Sequence, residues 1–358
     1  MPKHLPLTRA EAFCVAYDLR IPVLLAPMAG ACPASLSIAV ANAGGLGACG
    51  GLLMQPAAIK SWVSEVRAGS NGGFQLNLWI PDPPPVRDAA AEADVRAFLG
   101  TWGPEVPPDA ADAALPDFAA QCEAVLEAGP SVISSIMGLY PPAFIAQMKA
   151  RRIRWFATVT TVREALEAEA AGADAIVAQG MEAGGHRGAF SAAEAETAMV
   201  GLFSLLPAVT DAVRVPVIAT GGIADARGVA AALILGASAV QVGTGFLRSP
   251  EARLPAAWAD AIGRSRPEET LVTRAFSGRP GRSVATAYAR AAAAADAPSP
   301  APYPVQRALT QAMRDAATKV GDIDGMQAWA GQSAGLAAAR PAGDIARDLW
   351  DAARAMLT

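Results

Sequence analysis

The chain has 358 residues, enough for one large domain or two ordinary ones and ample for a substantial buried core. It is 53% hydrophobic with 17% charged residues and a net charge of −4, so no broad field draws in polyanions and nucleic acid is not an expected partner. The four cysteines, Cys14, Cys32, Cys49 and Cys122, are widely spaced and form no CxxC pair. That spacing predicts buried free thiols in a reducing cytoplasm, not a disulfide framework or a zinc site.

The first apolar run, IPVLLAPMAGACPA from Ile21, superficially imitates a secretory signal. Pro22 and Pro27 interrupt it, Glu11 and Asp18 stand where a signal is basic, and Ala29 sits where a lipobox has leucine. No signal is expected, and no run approaches the roughly 20 apolar residues of a membrane span.

In chain order, the run from Ile21 reads as a strand, followed by the helical PASLSIAVANAG. LGACGG from Leu46 is a second strand, then PAAIKSWVSEVRAG a helix, and GFQLNLWI from Gly73 a third strand. Residues 81–116 are rich in proline and acidic residues and predict a long surface loop. After it come the helix DFAAQCEAVLEAG, the strand SVISSIM from Ser131, the helix PAFIAQMKARR, the strand IRWFATV from Ile153 and the helix VREALEAEAAG. The strand ADAIVAQG from Ala173, a helix over 192–213, the strand VPVIATGG from Val215, the helix ADARGVAAALILG and the strand SAVQVGTG from Ser238 complete the alternation. Several of these helices begin with proline and end at glycine, the usual asymmetry of helix ends.

Eight strands with intervening helices predict an α/β fold of the (β/α)₈ TIM-barrel type more than an open doubly wound sheet. From about Ser249 the alternation stops. Residues 249–304 are expected to form a small inserted domain on the substrate side, with residues 1–248 and 305–358 making the barrel. The helix QRALTQAMRDAATKV is expected to carry the chain back to it.

In this fold the chemistry sits on loops after the strand C-termini. After the seventh strand the chain reads ATGGIADARG and after the eighth QVGTGFLRS; glycines there let backbone N–H groups approach an anion, and together the two turns suggest a phosphate cradle. No GxGxxG opens the helix after the first strand and no GxxxxGK[ST] occurs, so a Rossmann domain and a P-loop are unsupported. The first strand ends APMAG, where small residues let backbone lie against a planar ligand and Met28 offers a polarizable thioether. Asn77 is a polar residue at the end of the third strand, able to satisfy backbone or to bond a ligand.

The chain has two histidines. His4 lies in the polar N-terminal tail and reads as solvated. His186 stands in QGMEAGGHRG, after the sixth strand, with Gly184, Gly185 and Gly188 freeing the backbone around it. A single histidine on a ligand-facing barrel loop reads as a general base or a charge-stabilising group. Glu182 and Arg187 read equally well as site residues or as a surface ion pair. Metal binding is disfavoured because no second histidine, HExxH or paired-carboxylate spacing accompanies His186. A GxSxG elbow is absent as well.

QGMEAGGHRG, preceded by APMAG and followed by ATGGI, QVGT and WAGQSAGL from Trp329, resembles the nitronate monooxygenases, FMN-dependent (β/α)₈ barrels formerly called 2-nitropropane dioxygenases. The resemblance covers most of the chain. It implies FMN contacts from Pro27, Met28, Ala29, Asn77, Gln179 and Gly184, with Gly222, Gln241, Val242, Gly243 and Thr244 around the phosphate and ribityl chain, and it places the catalytic histidine at His186. It further implies oxidation of an alkyl nitronate, or of a nitroalkane, by molecular oxygen to a carbonyl compound and nitrite, the flavin carrying the redox chemistry.

Three other readings compete. An NAD(P)H-dependent FMN reductase, an enoyl-acyl-carrier-protein or quinone reductase, would share the barrel and the glycine-histidine loop. A non-catalytic flavin- or phosphate-binding barrel would not need His186. A Schiff-base lyase needs a lysine at a strand end, whereas Lys60, Lys149 and Lys319 all fall in expected helices.

Overall fold

The protein is described by a computed structural model covering residues 5–358, so His4 lies outside the described residues. Eight parallel strands carry the fold: β1 (Val23–Leu25), β2 (Gly47–Gly50), β3 (Phe74–Trp79), β4 (Val132–Ile136), β5 (Arg154–Val159), β6 (Ala175–Gln179), β8 (Val217–Thr220) and β9 (Ala239–Val242). A short β7 (Gly185–His186) pairs outside this sheet with β10 (Thr270–Thr273) and β11 (Gly281–Val284). The large sheet runs β1-β9-β8-β6-β5-β4-β3-β2, and a parallel bridge between Leu24 and Leu46 joins its two ends. It is a (β/α)₈ barrel.

Strand side chains alternate between the two faces of the sheet. Val23 and Leu25, Leu76 and Leu78, and Ile176 and Ala178 face outward into the main core against the helices. Leu24, Val132, Phe156, Val177, Ile218 and Ala239 fill the barrel interior. The N-terminal helix Pro6–Tyr17 plugs the bottom of that interior: Phe13 and Tyr17 lie 6.3 and 5.0 Å from the Phe156 ring. The barrel is thereby left to open at the C-terminal ends of its strands.

Several local expectations need correction. The 81–116 segment contains a helix, Ala89–Leu99, whose start is capped by the Asp88 carboxylate accepting from Ala90 and Ala91 N–H, and which buries Val95 and Leu99. Within 192–213 only Leu202–Ala212 is helical. The stretch before it is drawn off by other bonds: the Ala198 carbonyl accepts from Arg187, and the Val200 carbonyl accepts from Met181 N–H.

A second core lies beside the barrel mouth. It joins Val95 and Leu99 to Phe276, Tyr288, Val305, Leu309 and Met313. The helix Gln311–Val320 packs here through Met313 and not on the barrel; the chain returns to the barrel wall with Ala342–Leu357, which buries Ile345, Leu349 and Trp350 in the main core. All four cysteines are free, Cys14 half-buried and the others buried. No helix of the described residues is long and apolar enough to cross a membrane.

Candidate active site

The alternation that fills the barrel bottom also builds the site. Toward the C-terminal ends of most strands the inward side chains turn polar: Asn77 on β3, Thr158 on β5, Gln179 on β6, Thr220 on β8 and Gln241 on β9. These residues, with Met28 and Gly243, line a cavity of about 460 Å³ at the C-terminal end of the barrel. Pro27, Ala29, Gly184, His186, Gly222 and Thr244 line it too. Val242 does not. Its side chain points outward and is buried in the core against the helices, and its carbonyl accepts from Ala26 N–H.

The loop carrying His186 is held from both sides. Gln179 Nε2 donates to the His186 carbonyl at 3.1 Å, and its Oε1 accepts from Gly188 N–H at 2.8 Å, so one side chain spans the loop. From the segment after the last barrel strand, β11 pairs with β7 so that Gly281 lies opposite His186 and Arg282 opposite Gly185. Gly184 is required by close approach, since a Cβ there would meet Gly331 N at 2.5 Å and Ala330 C at 2.7 Å. Gly185 adopts a left-handed φ of 74° and reverses the chain immediately before the imidazole.

Glu182 and Arg187 are neither cavity residues nor a surface ion pair. The Glu182 carboxylate accepts from Leu202 N–H and so ties down the start of a helix. The buried Arg187 guanidinium donates to the carbonyls of Gln179, Thr160 and Ala198, bracing the loop from behind, and burial pulls its pKa down to about 10.

The His186 ring lies between two tryptophans, 4.7 Å from Trp79 and 4.9 Å from Trp329, measured between ring centroids. Its Nε2 is 2.8 Å from Ser277 Oγ, and Ser277 in turn donates its only hydroxyl proton to the Arg279 carbonyl. That pattern puts the ring proton on Nε2 and the lone pair on Nδ1. Burial among these groups, reinforced by the positive charges of Arg279 and Arg307, lowers the His186 pKa to about 3. The imidazole is therefore neutral at neutral pH. Arg279 is itself fixed by an ion pair to Asp82, which ties the proline-rich segment to the β10–β11 hairpin.

The expected cradle after the seventh and eighth barrel strands is present as geometry. Gly221 and Gly222 have φ of 106° and 70°, a turn that L side chains rarely adopt. The late WAGQSAGL segment closes over it: Ser333 donates to the Gly222 carbonyl at 2.6 Å, and Gly331 N–H donates to Thr244 Oγ1 at 3.0 Å. The Asp225 carboxylate already caps the following helix, accepting from Gly228 N–H, so anion binding here falls to the glycine turns and to the Thr244 hydroxyl.

The lining fits a flavin. It offers carboxamides in its middle (Asn77, Gln179, Gln241), glycine turns and a hydroxyl at one side, and the apolar Pro27–Ala29 backbone, which packs so closely on Gly50 that a Cβ there would lie 2.5 Å from Ala29 N. Gln241 is oriented by Gln75, whose Nε2 donates to its Oε1 at 3.0 Å, and Asn77 by Ser134 at 3.0 Å.

Sequence reasoning missed Trp79, Ser277 and Arg307, and read Trp329 only as part of a recurring segment. Trp79 had a signal, because it continues the inward-facing Gln75, Asn77 series of β3. Ser277 had none, since 91 positions separate it from His186.

Fold and site together define a (β/α)₈-barrel oxidoreductase of the flavin-using kind. The family model described as nitronate monooxygenase matches residues 14–351, and the chain belongs to that family. It is 33% identical over 331 residues to a probable nitronate monooxygenase of Staphylococcus aureus (strain Newman), covering 92% of this chain and 93% of the relative. Among solved structures it is similar to the nitroalkane oxidase from Streptomyces ansochromogenes, with 34% identity and a TM-score of 0.86 over 96% of this chain and 100% of the other. FabK from Thermotoga maritima is also similar, at 28% identity and a TM-score of 0.76 over 97% and 96%.

Proposed function

We propose that the protein binds FMN in the barrel-mouth cavity and oxidises alkyl nitronates with molecular oxygen to a carbonyl compound and nitrite. The observation that carries the reading is a neutral, tightly held His186 on the wall of a cavity that fits a flavin, in a chain of this family. The bound flavin would supply the electron-transfer chemistry. Pro27, Met28, Ala29, Asn77, Gln179, Gly184 and Gln241 would hold its ring system and chain, and Gly222, Gly243 and Thr244 its phosphate end.

The depressed pKa of His186 disfavours proton capture, because an imidazolium there would be buried beside two guanidinium groups. This supports preformed nitronates over neutral nitroalkanes as substrates, with His186 orienting the anion and shielding it from water between Trp79 and Trp329. Four unpaired thiols support a cytoplasmic setting.

The test begins with the absorption spectrum: the purified protein should be yellow and contain FMN. Mixed with an alkyl nitronate in air, it should release nitrite. Rapid flavin bleaching by NADH under anaerobic conditions, without nitrite release, would replace this reading by the NAD(P)H-dependent reductase. His186→Asn should retain the flavin and lose turnover; unchanged turnover would remove the histidine from the reaction.

A further inference from the structure

Four cationic side chains stand on or beside the cavity, and three are accounted for. Arg279 is paired with Asp82. Arg314 lines the cavity but its guanidinium is held by four hydrogen bonds, donating to Thr310 Oγ1, Gln327 Oε1, Gln311 Oε1 and the Arg307 carbonyl. Arg253 is exposed to solvent.

Arg307 differs from all of them. It sits on the short helix Val305–Leu309, lines the same cavity as His186 and is half-buried. Among the described residues its guanidinium makes no hydrogen bond and no ion pair. Tyr303 and Asp315 act on it electrostatically, but neither bonds it, and Asp315, which also lines the cavity, is bonded to Gln311. Burial lowers the Arg307 pKa, the sign of a cation held away from water without a partner. Five N–H donors in a rigid fork are thus left unbonded at a cavity wall where the nearby acceptors, Asp315 and Gln327, are bonded to Gln311 and Arg314 instead.

A nitronate carries its charge on two oxygens of one planar group, the same arrangement as a carboxylate. An arginine fork matches such a pair with two parallel charge-assisted bonds. We infer that Arg307 is the anion-holding residue of the cavity, its fork taking the two nitronate oxygens, and that it sets the preference for nitronate anions over neutral nitroalkanes. The choice of ligand rests on the nitronate reading above; the anion site itself does not. His186, neutral and committed to Ser277, does not supply a positive charge, so Arg307 does.

The test compares flavin-loaded wild type with Arg307→Met and Arg307→Lys. Nitrate, a planar and unreactive oxyanion, is titrated into each by calorimetry, and KM and kcat are measured for a nitronate and for its parent nitroalkane. Arg307→Met should lose nitrate binding and raise the nitronate KM about ten- to a hundredfold, the usual weight of hydrogen bonds to a charged group, with kcat and the nitroalkane KM little changed. Arg307→Lys keeps the charge but not the fork and should recover part of the nitrate affinity. Wild-type nitrate and nitronate affinity in either Arg307→Met or, should that variant fail to fold, Arg307→Gln would overturn the inference. Should wild type release no nitrite from nitronates, the functional reading falls, while the nitrate titrations still decide whether Arg307 holds an anion.

Discussion

His186 Nε2 and Ser277 Oγ lie 2.8 Å apart, joining the loop after β6 to a hairpin that begins nearly a hundred residues later. The hydroxyl is buried, and Arg279 holds it from both sides, its N–H donating to Oγ and its carbonyl accepting from it. Removing Oγ leaves the imidazole N–H without a partner and the ring free to turn between its two tryptophans. Ser277→Ala is expected to lower kcat about tenfold at unchanged flavin content, the effect of one buried donor left unpaired. Ser277→Thr, which restores the hydroxyl, should recover most of it, and steady-state kinetics on the pair checks this.

The pH dependence follows from the same ring. The folded pKa of His186 is depressed to about 3 from an unfolded value of 6.5. A neutral ring in the folded state contributes stability that is fully present above pH 6.5 and is lost as pH falls from there toward 3. Melting temperatures measured from pH 8 down to pH 4 should therefore fall more steeply for wild type than for His186→Asn. Between pH 6 and 9 no inflection in kcat should be assignable to His186; a histidine-like inflection that vanishes in His186→Asn would contradict this.

Asp82 and Arg279 join the proline-rich segment to the β10–β11 hairpin, with the Arg279 side chain 1% exposed. Breaking a buried pair from one side strands the other charge. Asp82→Asn is expected to destabilise the protein by about 3 kcal/mol, read from denaturant unfolding. Limited proteolysis should cut first within residues 81–116 of the variant.

Gly184 faces backbone and not a flexible side chain, so the clash a methyl group would make at 2.5 Å with Gly331 N has no easy relief. Gly184→Ala should push the WAGQSAGL segment off the Gly222 and Thr244 turns. The expected result is weakened flavin retention, seen as a lower ratio of visible to ultraviolet absorbance after gel filtration. Gly129→Ala, at the C-cap of the helix Phe118–Ala128 and outside the cavity lining, should leave flavin retention unchanged.

Much of the fold was legible because local signals agree. Most of the strand runs from Ile21 to Ser238 have the length, the β-branched content and the flanking glycines or prolines of parallel strands, LGACGG lacks β-branched residues, and all eight form the barrel. The helix over 192–213 was misread because alanine-rich propensity there is overridden by bonds to Arg187 and Met181 from elsewhere in the chain. The proline-rich segment was misread in the opposite direction: its prolines fall in two groups, Pro81–Pro85 and Pro104–Pro116, and the capped, proline-free helix between them carries the buried Val95 and Leu99 of the second core.

Sequence alone determined the barrel and the strand ends at which chemistry is possible, since a period of two along each strand decides which residues face inward and glycines decide where backbone can turn. It pointed to His186 for the same reason. Tertiary structure decided what surrounds that histidine. Ser277, Trp79 and Trp329 reach it only because β11 pairs with β7 and the late segment folds back over the barrel mouth. The low pKa of the ring and the unpartnered charge of Arg307 are likewise properties of burial and distance, which no spacing along the chain encodes.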